Sequence, residues 1–301
     1  MTFRIQQVIV QPTSGCNLNC SYCYVPNRRD YTKMDDSILE AVSLKVLQSE
    51  FVQDKVDVVW HAGEPLTVGV NFHERALELF RKNNRRDISI THYIQTNGIL
   101  IDEKWSRFVS DNKFMVGLSL DGPAFLHNLT RRGWSGRGSH REALRGFHLL
   151  RSYGLTPGII CVLTRESLKY PSEICAFFLE IGVDYLCFNL EEIENVNRRT
   201  SFSGEGSASG CSEQLVEEYQ AFMSKFFDVW RPHSAKMVIR EFRDMVSIFN
   251  QVRLVSVQDH LESLESFMIR FLQPRFAGAC RCGLSRTALG MTAASFATPA
   301  T

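Results

Sequence analysis

No apolar run in this 301-residue chain approaches the ~20 residues needed to cross a bilayer, and the opening MTFRIQQVIV is too short and too polar for a secretory signal. Charge of either sign is equally scarce in excess. The 34 Lys and Arg are balanced by 33 Asp and Glu, a net charge of +1, which excludes the global field that draws a protein to nucleic acid or to an anionic membrane. Neither kind of partner is expected, and any partner must be recognised locally. The expected location is cytoplasmic. There the nine cysteines, an odd total, are thiols or metal ligands rather than disulfides.

Three of those cysteines fall within GCNLNCSYCYV. Cys16, Cys20 and Cys23 leave gaps of three residues and then two, close behind a short apolar segment. Three thiolates from one loop can occupy three irons of a cubane cluster and leave the fourth iron open to a non-protein ligand, whereas such clusters usually take four cysteines. Zinc is the main competitor, but structural zinc sites need four N or S ligands, commonly in two paired halves, and no second half follows Cys23 nearby.

Apolar runs of four to seven residues alternate with amphipathic stretches of ten to fifteen, the pattern of repeated βα units around a parallel sheet. Strands are expected at 7–11, 56–60, 89–95, 115–119, 158–163 and 185–189, and helices at 35–49, 71–83, 102–112, 139–153 and 172–181. Six units rather than eight predict a partial (β/α)6 barrel, an α/β fold whose open side admits a large substrate. In barrels of this kind the site collects at the C-terminal strand ends. Those ends read QPTSGC, WHAGEP, QTNG, SLDG, LTRE and FNLEE.

Beyond Glu194 the sequence NVNRRTSFSGEGSASG turns polar and rich in Gly and Ser. Three regions are therefore expected: a barrel core over 1–195, a polar linker or loop over 196–212, and a mainly helical extension over 213–301. Helices are expected near 213–229, 236–250 and 261–271. The tail RCGLSRTALGMTAASFATPAT loses periodicity, and no structure is assigned to it.

With the cysteine loop, the strand-end motifs resemble the radical S-adenosylmethionine (SAM) superfamily over residues 5–195. The resemblance implies a [4Fe-4S] cluster on Cys16, Cys20 and Cys23, with SAM bound at the open iron and cleaved to a 5′-deoxyadenosyl radical. It places Tyr22 near the adenine. Gly63 and Glu64 of WHAGEP stand where the family's GGE motif receives the cofactor's ammonium, with Ala62 in place of the first glycine. Asn97 in QTNG faces the nucleoside, and Ser119 in SLDG faces the carboxylate or ribose. Arg131, four residues after His127, matches an H-D-x-x-R element and would hold the SAM carboxylate bidentately. Asn128 replaces the usual aspartate there, which makes Arg132 an alternative. Asn189 and Leu190 stand where the family often contacts adenine. Taken singly, several of these motifs are ordinary turns: GEP alone is one, and Asp-Gly after a strand is common.

Longer stretches, including VIVQPTSGCNLNCSYCYVPNR, VGLSLDGPAFLHN and FNLEEIENVN, resemble peptide maturases with a SPASM extension, in particular cyclophane-forming enzymes of the glycine-rich-repeat type. This implies a precursor peptide as substrate, a carbon-carbon bond between an aromatic ring and a nearby Cβ, and a reductant such as a flavodoxin or ferredoxin. Family members use auxiliary clusters as electron acceptors. Here only Cys280 and Cys282 are candidate ligands for one, short of the four it would need. Two alternatives stand beside this reading: formylglycine formation of the anaerobic sulfatase-maturase type, and a chain that binds cluster and SAM without turnover. Cys161, Cys175 and Cys187 are expected to be packing residues. His61 is expected to face the barrel mouth, and Glu191 and Glu192 to be a solvated pair. No catalytic residue is assigned.

Overall fold

The computed structural model describes residues 4–202 and 213–252. In chain order the elements are β1 (Gln7–Val10), α1 (Asp36–Gln48), β2 (Lys55–Trp60), α2 (Val70–Asn83), β3 (Ser89–Thr96), α3 (Glu103–Asp111), β4 (Met115–Ser119), α4 (Ala124–Thr130), α5 (His140–Ser152), β5 (Gly158–Leu163), α6 (Pro171–Glu180), β6 (Tyr185–Leu190), α7 (Glu213–Trp230), β7 (Val238–Ile239) and α8 (Arg240–Val252). Helix starts follow the side chains available there. The carboxylates of Asp35 and Asp102 accept from the backbone N–H groups of Ile38 and Trp105, satisfying donors that α1 and α3 would otherwise leave unpaired.

The strands form one parallel sheet in the order β1-β2-β3-β4-β5-β6-β7. The six expected strands are all present, and β7 adds a seventh by pairing Val238 with Tyr185 and Ile239 with Leu186 of β6. The stretch expected as one helix at 236–250 therefore opens as a strand and becomes α8 only at Arg240. Register sorts the two faces, because alternate residues point to opposite sides. One row runs Leu118, Ile159, Leu186, Ile239 across β4 to β7 and is at most 1% exposed. It packs beneath the helices, and each such side chain contributes about 1.5 to 3 kcal/mol by leaving water. The opposite face carries Gln95, Ser119, Ile160, Val162, Cys187 and Asn189 towards the C-terminal strand ends, with Gln95 beside Gly117, Ser119 beside Ile160 and Val162 beside Asn189.

Under α2 and α3 the core is aromatic. Trp60 donates its indole N–H to His92 Nδ1 at 3.3 Å and meets His73 edge-on, with centroids 5.3 Å apart. Burial pushes both histidines down to about 4. Beyond β6, Phe222 and Phe226 of α7 pack edge-on against Phe188 at 5.5 and 5.0 Å.

Residues 196–202, expected as the start of a linker, are fastened to the sheet end. Glu191 accepts from both the backbone N–H and the hydroxyl of Ser201, Asn197 donates to Glu192 O, and Phe202 is 4% exposed. Glu191 is thus a clamp for this turn rather than a free solvated carboxylate. The expectations for 261–271, the C-terminal tail, Cys280 and Cys282 lie outside the described residues.

Candidate active site

The cysteine loop lies across the C-terminal strand ends and is fastened mainly through its backbone. Asn19 N donates to Arg132 O at 2.7 Å and Ser21 N to Thr130 O at 3.0 Å, while Leu18 forms an antiparallel bridge with Gly133. The Cys16 carbonyl accepts from both the Tyr31 hydroxyl and the Trp134 indole, at 2.9 and 2.8 Å. Arg28 donates to Cys20 O at 3.2 Å. On the other side the WHAGEP turn closes in, with Glu64 N donating to Gly15 O at 2.8 Å.

Gly63 has φ +61°, and a Cβ there would sit 2.6 Å from Thr13 O and 2.8 Å from Gly15 O, both backbone atoms. A glycine is therefore required by the approach of two backbones. Ala62, which stands in for the motif's first glycine, also lies in the left-handed region at φ +71°, a conformation costing a non-glycine residue about 1 to 2 kcal/mol. The replacement is accommodated at a strain cost.

All three cysteines are free thiols, with Cys16 and Cys20 buried and Cys23 partly so, packed with Leu18, Tyr22 and Ile99. Burial, then Glu64, pushes Cys16 up to about 12, and burial pushes Cys20 to about 11. Such thiols stay protonated until a metal displaces the proton. Among the described residues no group of three or more His, Cys, Asp or Glu side chains is placed to hold a metal ion. Three thiols offered from one loop suit a cluster whose irons each take one thiolate better than they suit a four-ligand zinc site. The donor set therefore fits a cluster.

Beside the loop lies a buried carboxylate hub. Asp121, 3% exposed, accepts from Val162 N through Oδ1 at 3.0 Å. Its Oδ2 accepts from the Tyr22 hydroxyl at 2.6 Å and from Arg131 Nε at 2.8 Å. The Arg131 guanidinium also lies over the Tyr22 ring, 5.4 Å from its centroid. Burial is the largest influence and opposes charge on Arg131, but Asp121, Tyr22 and Cys20 together outweigh it and hold Arg131 well above its ordinary value. The missing aspartate at 128 is thus replaced in space by Asp121, and Arg131 needs no support from its own helix. Asn128 instead accepts from His140 N, and Arg132 is exposed and donates to Asn128 O.

Behind Arg131, Ser139 Oγ donates to Arg131 O and so must accept from His127 Nε2, while His127 Nδ1 accepts from Asp121 N. The imidazole is held neutral in one tautomer, with burial pushing it down to about 3. Asp121 is the functional candidate to which the sequence assigned no role, because SLDG reads as a turn.

Glu64 and Asn97 meet at the end of β3, while Ser119 pairs with Gln95. Expected to receive a ligand's ammonium, the Glu64 carboxylate is 1% exposed and turned inward. It accepts from Thr96 Oγ1 at 2.7 Å, Asn97 N at 2.8 Å and Leu66 N at 3.1 Å. Burial pushes it up to about 7 against those hydrogen bonds. Asn97 donates to Asn17 Oδ1 at 2.7 Å, beside Cys16. Gln95 donates to Ser119 Oγ at 3.0 Å, while its own Oε1 is buried with no hydrogen-bond partner. An unpaired buried acceptor is free to take a hydrogen bond from a donor such as an ammonium or a hydroxyl.

Asn189 and Leu190 stand at the end of β6, where Asn189 Oδ1 accepts from Arg240 of α8 at 3.2 Å. They are separated from the hub by β5. His61 meets Tyr24, whose hydroxyl lies 3.4 Å from His61 Nε2.

A cysteine triplet fastened across the C-terminal ends of a parallel α/β sheet, flanked by a buried Arg-Asp pair and an unpaired acceptor, is the arrangement of a radical SAM core. The chain belongs to the radical SAM superfamily, whose model matches residues 10–178. Membership implies a [4Fe-4S] cluster and SAM at this site. The chain is 35% identical over 267 residues to an uncharacterized Synechocystis protein, sll1766, covering 87% of this chain and 64% of that protein. It is 32% identical over 232 residues to the cysteine-type anaerobic sulfatase-maturating enzyme of Clostridium perfringens, covering 74% and 60%. The structure of native anSMEcpe with bound AdoMet and Kp18Cys peptide superposes with a TM-score of 0.69 at 31% identity, covering 79% of this chain and 64% of that one. The chain thus spans less than two thirds of the length of these relatives.

Proposed function

We propose that this chain is the SAM-cleaving core of a peptide maturase that removes a hydrogen atom from a Cβ of a bound precursor peptide and joins that carbon to a nearby aromatic ring. The observation that carries the SAM part is the cysteine loop set beside the Asp121-Arg131 pair and the unpaired Gln95 Oε1, all at one mouth of the sheet. When bound and reduced, the cluster and SAM supply a 5′-deoxyadenosyl radical. Cys16, Cys20 and Cys23 hold the cluster. The remaining donors of Arg131 suit a carboxylate, and Gln95 and Ser119 suit the polar edge of the cofactor. The peptide-derived radical would add to the ring, and loss of one proton to solvent and one electron to an external one-electron acceptor would restore aromaticity, so the product is lighter by two hydrogens.

The crosslink rests on the resemblance in the cysteine-loop, SLDGP and FNLEE stretches. A second reading, oxidation of a Cys or Ser side chain to formylglycine, is favoured by the 32% identity to a sulfatase-maturating enzyme. Both are two-electron oxidations that need an acceptor, and the other described cysteines, Cys161, Cys175 and Cys187, are buried packing residues. Anaerobic co-expression with a glycine-rich aromatic precursor and with a sulfatase-motif peptide, followed by tandem mass spectrometry, separates the readings. Loss of two hydrogens with a ring-to-Cβ bond supports the crosslink; a formylglycine product replaces it with the second reading.

A further inference from the structure

Both proposed reactions need an electron delivered to the cluster loop, and the surface over that loop is cationic. The Trp134 indole, half-buried, donates to the carbonyl of Cys16 at 2.8 Å, so this ring stands one hydrogen bond from a cluster ligand. Around it the guanidinium of Arg29 lies 4.5 Å from the ring centroid and that of Arg28 5.5 Å. Trp134 sits in a tight hairpin closed by the bridge between Arg132 and Gly138 and by Gly133 N donating to Arg137 O at 2.8 Å. That hairpin presents exposed Arg132 and Arg137, and the first turn of α5 adds Arg141.

Two carboxylates are interspersed. Glu142 accepts from both Arg137 and Arg141, and Asp30 accepts from Thr32 N. Five arginines against these two acids leave a strong local surplus on a chain whose net charge is only +1. Exposed arginines at 67% and 80% side-chain accessibility pair weakly with one shared acid, so their field persists outward.

We infer that this Trp134-centred arginine face is the docking surface for a reduced flavodoxin, the electron donor to the cluster; the inference rests on the cluster reading above. A flavodoxin presents the complement of this face: an apolar flavin edge set among carboxylates, against an indole set among guanidinium groups. Charges of opposite sign steer encounter and fix orientation. In the transfer the anionic flavin hydroquinone would give up one electron and become the neutral semiquinone, with no proton released. Docking here brings that flavin to the side of the loop where Cys16 and Cys20 are tied through their carbonyls to Trp134 and Arg28.

The test uses the full chain, reconstituted anaerobically, and the charge-reversed variant Arg29→Glu/Arg137→Glu/Arg141→Glu, which leaves the Cys16 and Cys20 hydrogen bonds untouched. Formation of 5′-deoxyadenosine is followed with dithionite and, separately, with reduced flavodoxin at low salt. The flavodoxin-driven rate should fall by roughly tenfold to a hundredfold in the variant, while the dithionite-driven rate stays within about twofold. Calorimetric affinity of the cluster-free chain for flavodoxin should fall at least about tenfold in the variant and weaken with added salt in the wild type. Equal flavodoxin-driven rates and equal affinities in both proteins would overturn the inference, as would a loss seen with ferredoxin but not with flavodoxin. If the variant loses dithionite-driven activity as well, the affinity of the cluster-free chain decides. Absence of dithionite-driven cleavage in the wild type strikes the cluster reading instead.

Discussion

Replacing Asp121 by Asn keeps the shape of the side chain and removes its charge. The consequence follows from its partners. Asp121 and Arg131 are 4% and 8% exposed at their side chains, so the guanidinium left behind would be a buried cation without its counterion. Breaking such a pair from one side costs about 3 to 5 kcal/mol, because the remaining charge keeps its desolvation penalty. Part of that is recovered here, since an Asn oxygen can still accept from Val162 N or from Tyr22. A loss of about 3 kcal/mol is therefore expected, which for a chain of this size lowers the melting temperature by roughly 6 to 12 °C.

Anaerobic urea denaturation followed by fluorescence measures it. Arg131→Met removes the cation in turn, and the double variant should be more stable than the sum of the single losses by about 2 kcal/mol. A loss under about 1 kcal/mol in Asp121→Asn, or strictly additive single effects, would refute the hub as a coupled, desolvated pair.

Cys16→Ala/Cys20→Ala/Cys23→Ala should bind no iron-sulfur cluster and lose its visible absorption, while Cys161→Ala and Cys175→Ala keep full iron and sulfide content by chemical analysis. Ala62→Gly should raise stability by about 1 kcal/mol in thermal denaturation by relieving left-handed strain, whereas Gly63→Ala should displace the cysteine loop and lower iron incorporation. His73 has a folded value of about 4 against an ordinary 6.5, so the unfolded chain binds more protons between those values and stability falls as pH drops through that window. Its share of the loss between pH 7 and pH 5 is about 2 kcal/mol, readable as the change in the stability gap between wild type and His73→Gln. A gap that does not change with pH would sink it. Glu64 runs the other way, its raised carboxyl making the fold less stable as pH rises from 4.5 towards 7, which is why the difference between two proteins is the quantity to measure.

The six long strands were legible because each is an apolar run set between amphipathic stretches. The seventh was not. Val238–Ile239 is too short to carry a period of two, and it exists because Tyr185 and Leu186 of β6 offer a partner edge and Val238 N reaches Asp184 O. Helix α4 escaped for the same reason, being only seven residues long with a proline at its N-cap. The grouping of Cys16, Cys20 and Cys23 in one loop was legible from local spacing alone. Asp121 could not be, since its partners Tyr22, Val162 and Arg131 lie 99, 41 and 10 residues away, and only the fold makes them neighbours. Asn128 was misleading in an instructive way: the deviation from the motif was real, but the charge it lacks is supplied from the end of β4.

The glycines of the site show where a correct residue requirement can arise from an unexpected contact. Close approach at WHAGEP was expected to serve a bound cofactor. In the structure the atoms that a Gly63 Cβ would strike are Thr13 O and Gly15 O, and a Gly15 Cβ would strike the Tyr31 ring at 2.6 Å. Gly15 O in turn accepts Glu64 N, and Glu64 reaches back through its carboxylate to Thr96 and Asn97 at the end of β3. These residues make one continuous chain of contacts from β3 through the WHAGEP turn to the loop that carries Cys16. Any substitution along it acts first on where the thiols stand. Effects on a bound cluster or SAM would follow from that placement, because these three thiols would set where a cluster stands.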